Sequence, residues 1–247
     1  MEKLLILPFY NEELRLNINL IEELIKAWDG RLIFVDDGST DSTYNLLSQF
    51  KNSKLSLLKL EKNVGKSEAL RKAFEGLRND SYDGLVFVAD CDFSVSIFEI
   101  IDFSDSVLKN YKEYSVPEET FVIYSASRLP LSTETRVEVE RHKFRDVIGF
   151  LIRSYVKLIS SCPAKDPQTP IKGYLMNNAF SRIISEKAHT RWFLDIEFLQ
   201  RARSLNLMVE WHELQLMRWR DVPTKNYSGT LATYVLLDIF KLFKIRF

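Results

Sequence analysis

The 247-residue chain is 46% hydrophobic and 28% charged, which excludes a disordered chain and suits one large α/β domain or two small ones. Lysine plus arginine and aspartate plus glutamate each number 34, so no charge field argues for a nucleic-acid partner and any anion site must be local. Only Cys91 and Cys162 are present, without C-x-x-C spacing, which excludes a disulfide framework or zinc site and makes a reducing cytosol the default.

Leu4 to Leu7 is an aliphatic run, read as a strand ended by Pro8. The start lacks the apolar core and cleavage site of a signal peptide. Tyr10-Asn11-Glu12-Glu13 opens a helical pattern carried by Leu16, Leu20, Leu24 and Ala27. A second unit follows: strand Leu32 to Val35, polar turn Asp36-Asp37-Gly38-Ser39-Thr40-Asp41, and a helix from Ser42 to Phe50 that Ser39 and Asp41 are positioned to cap. A third strand is expected at Leu55 to Leu60. Asn63-Val64-Gly65-Lys66-Ser67 then leads into a helix from Glu68 to about Leu77. It ends like a P-loop but lacks the earlier glycine, which excludes a P-loop NTPase.

Leu85 to Ala89 is an apolar run that delivers Asp90-Cys91-Asp92 to its own C-terminal end. Strands alternating with helices predict a mostly parallel sheet with helices on both faces, and the polar turns that follow the strands gather along one edge. Hard oxygen donors there suit a magnesium or manganese ion holding a diphosphate, although an isolated D-x-D also serves as an ordinary helix-capping turn.

Residues 97 to 114 have helical spacing, and Phe121 to Ala126 is a strand ending in Ser127-Arg128. Arg136 to Ser161 reads as one long basic amphipathic helix carrying Arg141 and Arg145, a solvated surface helix or a membrane-surface element. Asp166 to Gly173 is a proline-punctuated loop holding Lys172. A helix begins near Arg191, with Asp195 and Glu197 in its first turn, where the helix dipole favours carboxylates. Val209 to Leu214 resembles an edge strand, and Met217 to Tyr227 is a polar loop holding Arg218, Arg220 and Lys225. The tail, Leu231 to Phe247, forms a helix docked on the core or lying in a membrane interface; no stretch approaches the roughly 18 apolar residues of a transmembrane helix.

The sheet edge therefore gathers acceptors, Glu12, Asp37, Asp90 and Asp92, and donors, Arg128, Lys172, Arg220 and Lys225. A nucleotide-sugar calls for this mixture: carboxylates for hydroxyls and a metal, cations for the departing diphosphate. His142, His189 and His212 have no metal-ligand spacing.

Pro8-Phe9-Tyr10-Asn11-Glu12, Val35-Asp36-Asp37-Gly38-Ser39-Thr40-Asp41, Asn63-Val64-Gly65-Lys66, Asp90-Cys91-Asp92 and Phe193-Leu194-Asp195-Ile196-Glu197 occur in the order and approximate spacing of the family 2 glycosyltransferases. Within that family the chain resembles the dolichyl-phosphate mannose and glucose synthases. Asp166-Pro167-Gln168-Thr169-Pro170-Ile171-Lys172 is similar to their D-T-Q-C-G-F-K segment, and Trp219 to Lys225 to their W…G-S-K segment.

The resemblance implies a GT-A fold over residues 1–229, a separate C-terminal helix over 230–247, and inverting transfer of mannose or glucose from a UDP- or GDP-hexose to a polyprenyl phosphate at the cytosolic face of a membrane. It implies a nucleoside pocket of Pro8, Tyr10, Glu12, Val35 and Asp37, with Lys66 also on the donor. Asp90, Cys91 and Asp92 meet the ribose, the diphosphate and a Mg2+ or Mn2+ ion, with Asp92 the direct ligand. Arg220 and Lys225 neutralise donor phosphates and Arg128 and Lys172 the acceptor phosphate; apart from the resemblance, the basic helix offers Arg141 and Arg145 as a further anchor for the acceptor phosphate. A sugar-hydroxyl acceptor in glycan assembly would need Asp195 or Glu197 as general base, whereas a lipid phosphate, already anionic, would not. Cys91, Ser94 and Pro170 stand where alanine, glutamine and glycine are usual, which leaves room for a nucleotide-sugar-binding protein without turnover.

Overall fold

The computed structural model describes residues 2–113, 116–132, 138–140, 143–220 and 229–244. The first half alternates as expected: β1 (Lys3–Phe9), α1 (Ile18–Ala27), β2 (Arg31–Asp36), α2 (Thr43–Leu47), β3 (Leu55–Lys59), α3 (Lys66–Asn79), β4 (Gly84–Ala89) and α4 (Ile97–Glu113). Then follow β5 (Thr120–Ser127), β6 (Glu138–Glu140), α5 (Lys143–Ser160), β7 (Ile171–Met176), α6 (Asn178–Ile183), α7 (Leu194–Ser204), β8 (Met208–Gln215), β9 (Arg218–Arg220) and α8 (Gly229–Lys244).

Seven strands form one sheet in the order β3-β2-β1-β4-β7-β5-β8, and β6 pairs with β9 in a second, two-stranded sheet. In the large sheet β7 alone runs antiparallel to its neighbours. The chain winds outward from β1 through β2 to β3 and then returns to lay β4 on the other side of β1. The crevice beyond the C-terminal ends of β1 and β4 is therefore a topological switch point, where sheets of this kind bind ligands.

Alternate residues of each strand face opposite sides. Leu4, Ile6, Val35 and Val86 pack beneath α3, α6 and α7 with Phe74, Phe180 and Phe198. Leu5, Leu7, Phe34 and Phe87 pack beneath α1 and α4 with Trp28, Ile100 and Phe103. A third cluster joins α5, α7 and α8 through Val156, Phe193, Ile196, Leu199 and Leu242. Each fully buried leucine or phenylalanine contributes about 1.5–3 kcal/mol.

Several boundaries differ from the sequence reading. β1 continues through Pro8: Phe9 O accepts from Asp37 N, so in a parallel ladder Phe9 faces β2 and Pro8 faces the β4 side, past the last pair, Ile6 with Val88. The missing proline N–H thus costs no ladder bond. α1 begins only at Ile18, where Asn17 Oδ1 accepts from Leu20 N, and α2 is shorter than expected. The turn before α2 is held by Asp41 Oδ1 on Thr43 N, while Ser39 Oγ instead accepts from Asn11 N. The segment expected as one helix from 136 to 161 contains β6 before α5, and the loop expected over 217–227 contains β9. β7 starts inside the proline-punctuated loop. β8 is an edge strand, as expected.

Candidate donor-binding cleft

A cleft of about 260 Å³ opens at the switch point. Pro8, Phe9, Tyr10, Glu12 and Arg15 line it from the end of β1, Asp37 from β2, Asn63, Gly65 and Lys66 from the entry to α3, Asp90, Cys91 and Asp92 from β4, and Arg191 and Trp192 from the entry to α7.

Asp37 builds the wall. Its carboxylate accepts Val64 N at 2.8 Å, Gly65 N at 2.9 Å and Asn63 Nδ2 at 2.8 Å, which shapes the loop into α3. Burial raises its carboxyl, and those amides oppose the rise. Gly38 makes the approach of the two loops possible: its φ is +65°, and a Cβ there would lie 2.3 Å from the Lys62 carbonyl carbon.

The floor is acidic. Burial and then the neighbouring Asp90 raise the Asp92 carboxyl, against the N–H of Ser94, which Asp92 Oδ1 accepts at 2.9 Å. Burial also raises Glu12, opposed by Arg15, with Asp92 adding repulsion. Phe93, the next residue, has φ +51°, a left-handed turn that redirects the chain directly after the carboxylates. Lys66 donates to Asp90; burial lowers its ammonium, but Asp90, aided by Asp195, outweighs burial and raises it. Burial raises the Cys91 thiol well above its usual value, so it stays protonated.

Asp90 and Asp92 are hard oxygen donors in an acid cluster held against mutual repulsion, and they fit a divalent cation such as Mg2+ or Mn2+. Among the described residues no three His, Cys, Asp or Glu side chains are arranged to hold a metal.

Behind Lys66 lies a second polar group. Tyr174 and Lys172, two apart on β7 and therefore on one face, both donate to Asp195 in the first turn of α7, Lys172 to Oδ2 and Tyr174 to Oδ1. Burial and Asp195 raise the Tyr174 phenol well above its usual value, which keeps it a donor.

Of the residues expected at the site, Pro8, Tyr10, Glu12, Asp37, Lys66, Asp90, Cys91 and Asp92 line the cleft together. Others do not. Val35 is fully buried in the core beneath α3. Glu197 is fully buried and accepts from His189 N, Thr190 N and Oγ1, and Arg201 Nη2, so it braces the chain before α7. Arg128 lies outside the lining and grips Asp166 through Nε at 2.7 Å and Nη2 at 2.9 Å, with its guanidinium 5.2 Å from the Trp219 ring, so these donors tie β5 to the loop before β7. Lys172 is engaged by Asp195. Arg141 and Lys225 lie outside the described residues, as do the side chains of Arg145 and Arg220.

Phe9, Arg15, Asn63, Gly65, Arg191 and Trp192 also line the cleft and were not assigned to the site from the sequence. Arg191 carried a usable signal: it stands three residues before the start of α7, near a helix N-terminus, where the dipole disfavours a cation, so its charge does not serve the helix.

Residues 4–116 match the model of Glycosyl transferase family 2. A dolichyl-phosphate beta-glucosyltransferase of Dictyostelium discoideum is 25% identical over 228 residues, 85% of this chain and 66% of that protein. An uncharacterized glycosyltransferase of Bacillus subtilis strain 168 is 39% identical over 87 residues, 34% of this chain and 25% of that one. The chain thus spans just under two thirds of the first relative and a quarter of the second. The crystal structure of glucosyl-3-phosphoglycerate synthase from Mycobacterium tuberculosis with Mn2+, UDP and glucosyl-3-phosphoglycerate superposes with a TM-score of 0.60 at 15% identity, covering 98% of this chain and 80% of that one.

Proposed function

We propose that this chain of GT-A fold is a family 2 glycosyltransferase and that it transfers a hexosyl group, mannose or glucose, with inversion, from a UDP- or GDP-hexose to a polyprenyl phosphate of the dolichyl type.

The observation that carries this reading is the engagement of Asp195. A sugar hydroxyl needs a base beside the anomeric carbon. Both Asp195 oxygens already accept, one from Lys172 and one from Tyr174, and Glu197 is turned away into its own buried network. A phosphate oxygen needs no base, only alignment and charge neutralisation. Its lone pair attacks C1 of the donor hexose from the face opposite the leaving group. The C1–O bond to the β-phosphate breaks, and its electron pair leaves with the nucleoside diphosphate. Of the cleft cations Arg15, Lys66 and Arg191, the first is paired with Glu12, and Lys66 and Arg191 are the two assigned here to this growing negative charge. A Mg2+ or Mn2+ ion on Asp90 and Asp92 would supply further neutralisation of the diphosphate.

A lipid acceptor also accords with the surface. α5 leaves Phe150, Leu151 and Leu158 exposed and α8 leaves Leu236, Leu237 and Phe240 exposed, with Arg153, Lys157 and Lys241 on the same helices. Among the described residues no helix is long and apolar enough to cross a membrane, and in this reading the chain works peripherally at a cytosolic membrane face. The dolichyl-phosphate beta-glucosyltransferase relative supports the same acceptor.

Incubation of the purified protein with UDP- and GDP-hexoses, Mn2+, and either polyprenyl phosphate in vesicles or soluble glycans, read by mass spectrometry, tests the proposal. A polyprenyl-phosphate hexose is expected. Transfer to a glycan hydroxyl with none to the lipid phosphate would refute it.

A further inference from the structure

Asp238 is fully buried on α8, where Lys241 lies 3.6 Å from its Oδ1, and its other partners lie in the segment that enters α7. Its Oδ2 accepts the backbone N–H of Arg191 at 2.5 Å and of Trp192 at 3.0 Å. Around this contact α8 adds more grip. Lys241 donates to His189 O at 3.0 Å, and the Tyr234 ring lies 6.2 Å from Trp192 and 5.2 Å from the Arg191 guanidinium.

Arg191 and Trp192 are the two cleft residues that this segment supplies. Arg191 reaches across to Asn63 Oδ1 through Nη2, while its Nε is buried without a hydrogen-bond partner. A buried guanidinium donor without a partner, at the wall of a cleft, calls for an anion. Ile239 and Leu242 already dock α8 by apolar contact, so docking alone does not require a carboxylate whose burial is costly.

We propose that Asp238 is a positioning residue for the donor diphosphate: it fixes Arg191 and Trp192 through their backbone N–H groups and thereby couples occupancy of the cleft to docking of α8. This rests on the nucleotide-sugar reading of the cleft. The coupling is reciprocal, so a nucleotide that engages Arg191 must also tighten α8.

Two measurements test it. The first is hydrogen exchange on the unaltered protein, with and without saturating UDP or GDP and Mn2+. Slowed exchange at 191–192 and along 233–242, together with 8–12 and 63–66, supports the coupling. Slowing at 8–12 and 63–66 with none in α8 overturns it, and no slowing anywhere overturns the nucleotide reading and this inference with it. The second is nucleotide titration followed by tryptophan fluorescence, the Trp192 signal being identified by its loss in Trp192→Phe. Asp238→Ala should weaken binding about tenfold, as expected for losing hydrogen bonds to a charged acceptor. Asp238→Asn, which keeps an acceptor oxygen, should restore binding to within about threefold. Equal binding by Asp238→Ala and the unaltered protein overturns the proposal; if Asp238→Ala does not fold, the exchange experiment decides.

Discussion

The ammonium of Lys172 on β7 closes on the carboxylate of Asp195 on α7, each side chain 11% exposed, directly behind the cleft lysine Lys66. An ion pair at that depth is costly to halve. Asp195→Asn leaves a buried ammonium uncompensated and should lower stability by about 3–5 kcal/mol, whereas Lys172→Met in the same chain should recover most of the loss. Urea unfolding of the single and double variants checks this. If Asp195 were the general base, its removal would cost roughly 10²–10⁴ in rate. We expect less than about tenfold, with the shape of the pH–rate profile unchanged.

Asp92 trades stability for function. Its folded-state carboxyl is raised, by burial first and Asp90 second, from an ordinary value of 3.8. A raised carboxylate destabilises the fold where it is ionised, that is, above its folded pKa, and the penalty disappears as pH falls toward 3.8. Asp92→Asn should therefore raise Tm at neutral pH, with the gain fading in acid. The same variant should lose at least about 10²-fold in transfer. Mn2+ with UDP or GDP should raise the Tm of the unaltered protein and not that of the variant. Thermal melts across pH and nucleotide test all three outcomes.

The first half of the fold was legible because its central strands are buried on both faces and read as continuous apolar runs ending in polar turns. That pattern also delivered Glu12, Asp37, Asp90 and Asp92 to one edge. β7 was not legible: Lys172-Gly173-Tyr174 breaks the apolar run, and its lysine and tyrosine are tolerated inside only because Asp195, 21 or more residues away, accepts from both. β6 and β9, three residues each, are too short to carry a period. The structural role of Glu197 had a local sign, since Arg201 follows at i+4 on the same helix, the spacing of a helical ion pair. The tail helix docks on the protein as one of its two sequence readings had it, through Asp238 and Leu242, while Leu236, Leu237 and Phe240, turned away at about 100° per residue, face outward.

Gly38 supports the cleft through backbone geometry. Alanine there must adopt φ +65° and place its Cβ against the Lys62 carbonyl carbon and Asn63 N. Gly38→Ala should cost more than about 1 kcal/mol and disturb the loop that Asp37 organises. Nucleotide affinity should fall together with stability, in contrast to Glu197→Ala. That change strands Arg201 in the core and should cost about 3–5 kcal/mol, with specific activity per folded molecule nearly unchanged. Urea curves paired with titration of the folded fraction separate the two.

The outward face of α8 offers a direct test of the lipid-surface assignment. Leu237 and Phe240 are 48% and 56% exposed, so Leu237→Asp and Phe240→Asp should each cost no more than about 1.5 kcal/mol and leave the chain folded. About half of each side chain is left to bury, so a bilayer contributes about 0.8–1.5 kcal/mol from each. The double variant should therefore bind anionic vesicles at least about tenfold more weakly in a flotation assay. Nucleotide binding should survive, because Asp238 and Leu242 occupy the opposite side of the helix. Should the double variant float like the unaltered protein, α8 is not the membrane contact, and the lipid-phosphate reading then rests on the chemistry around Asp195 alone.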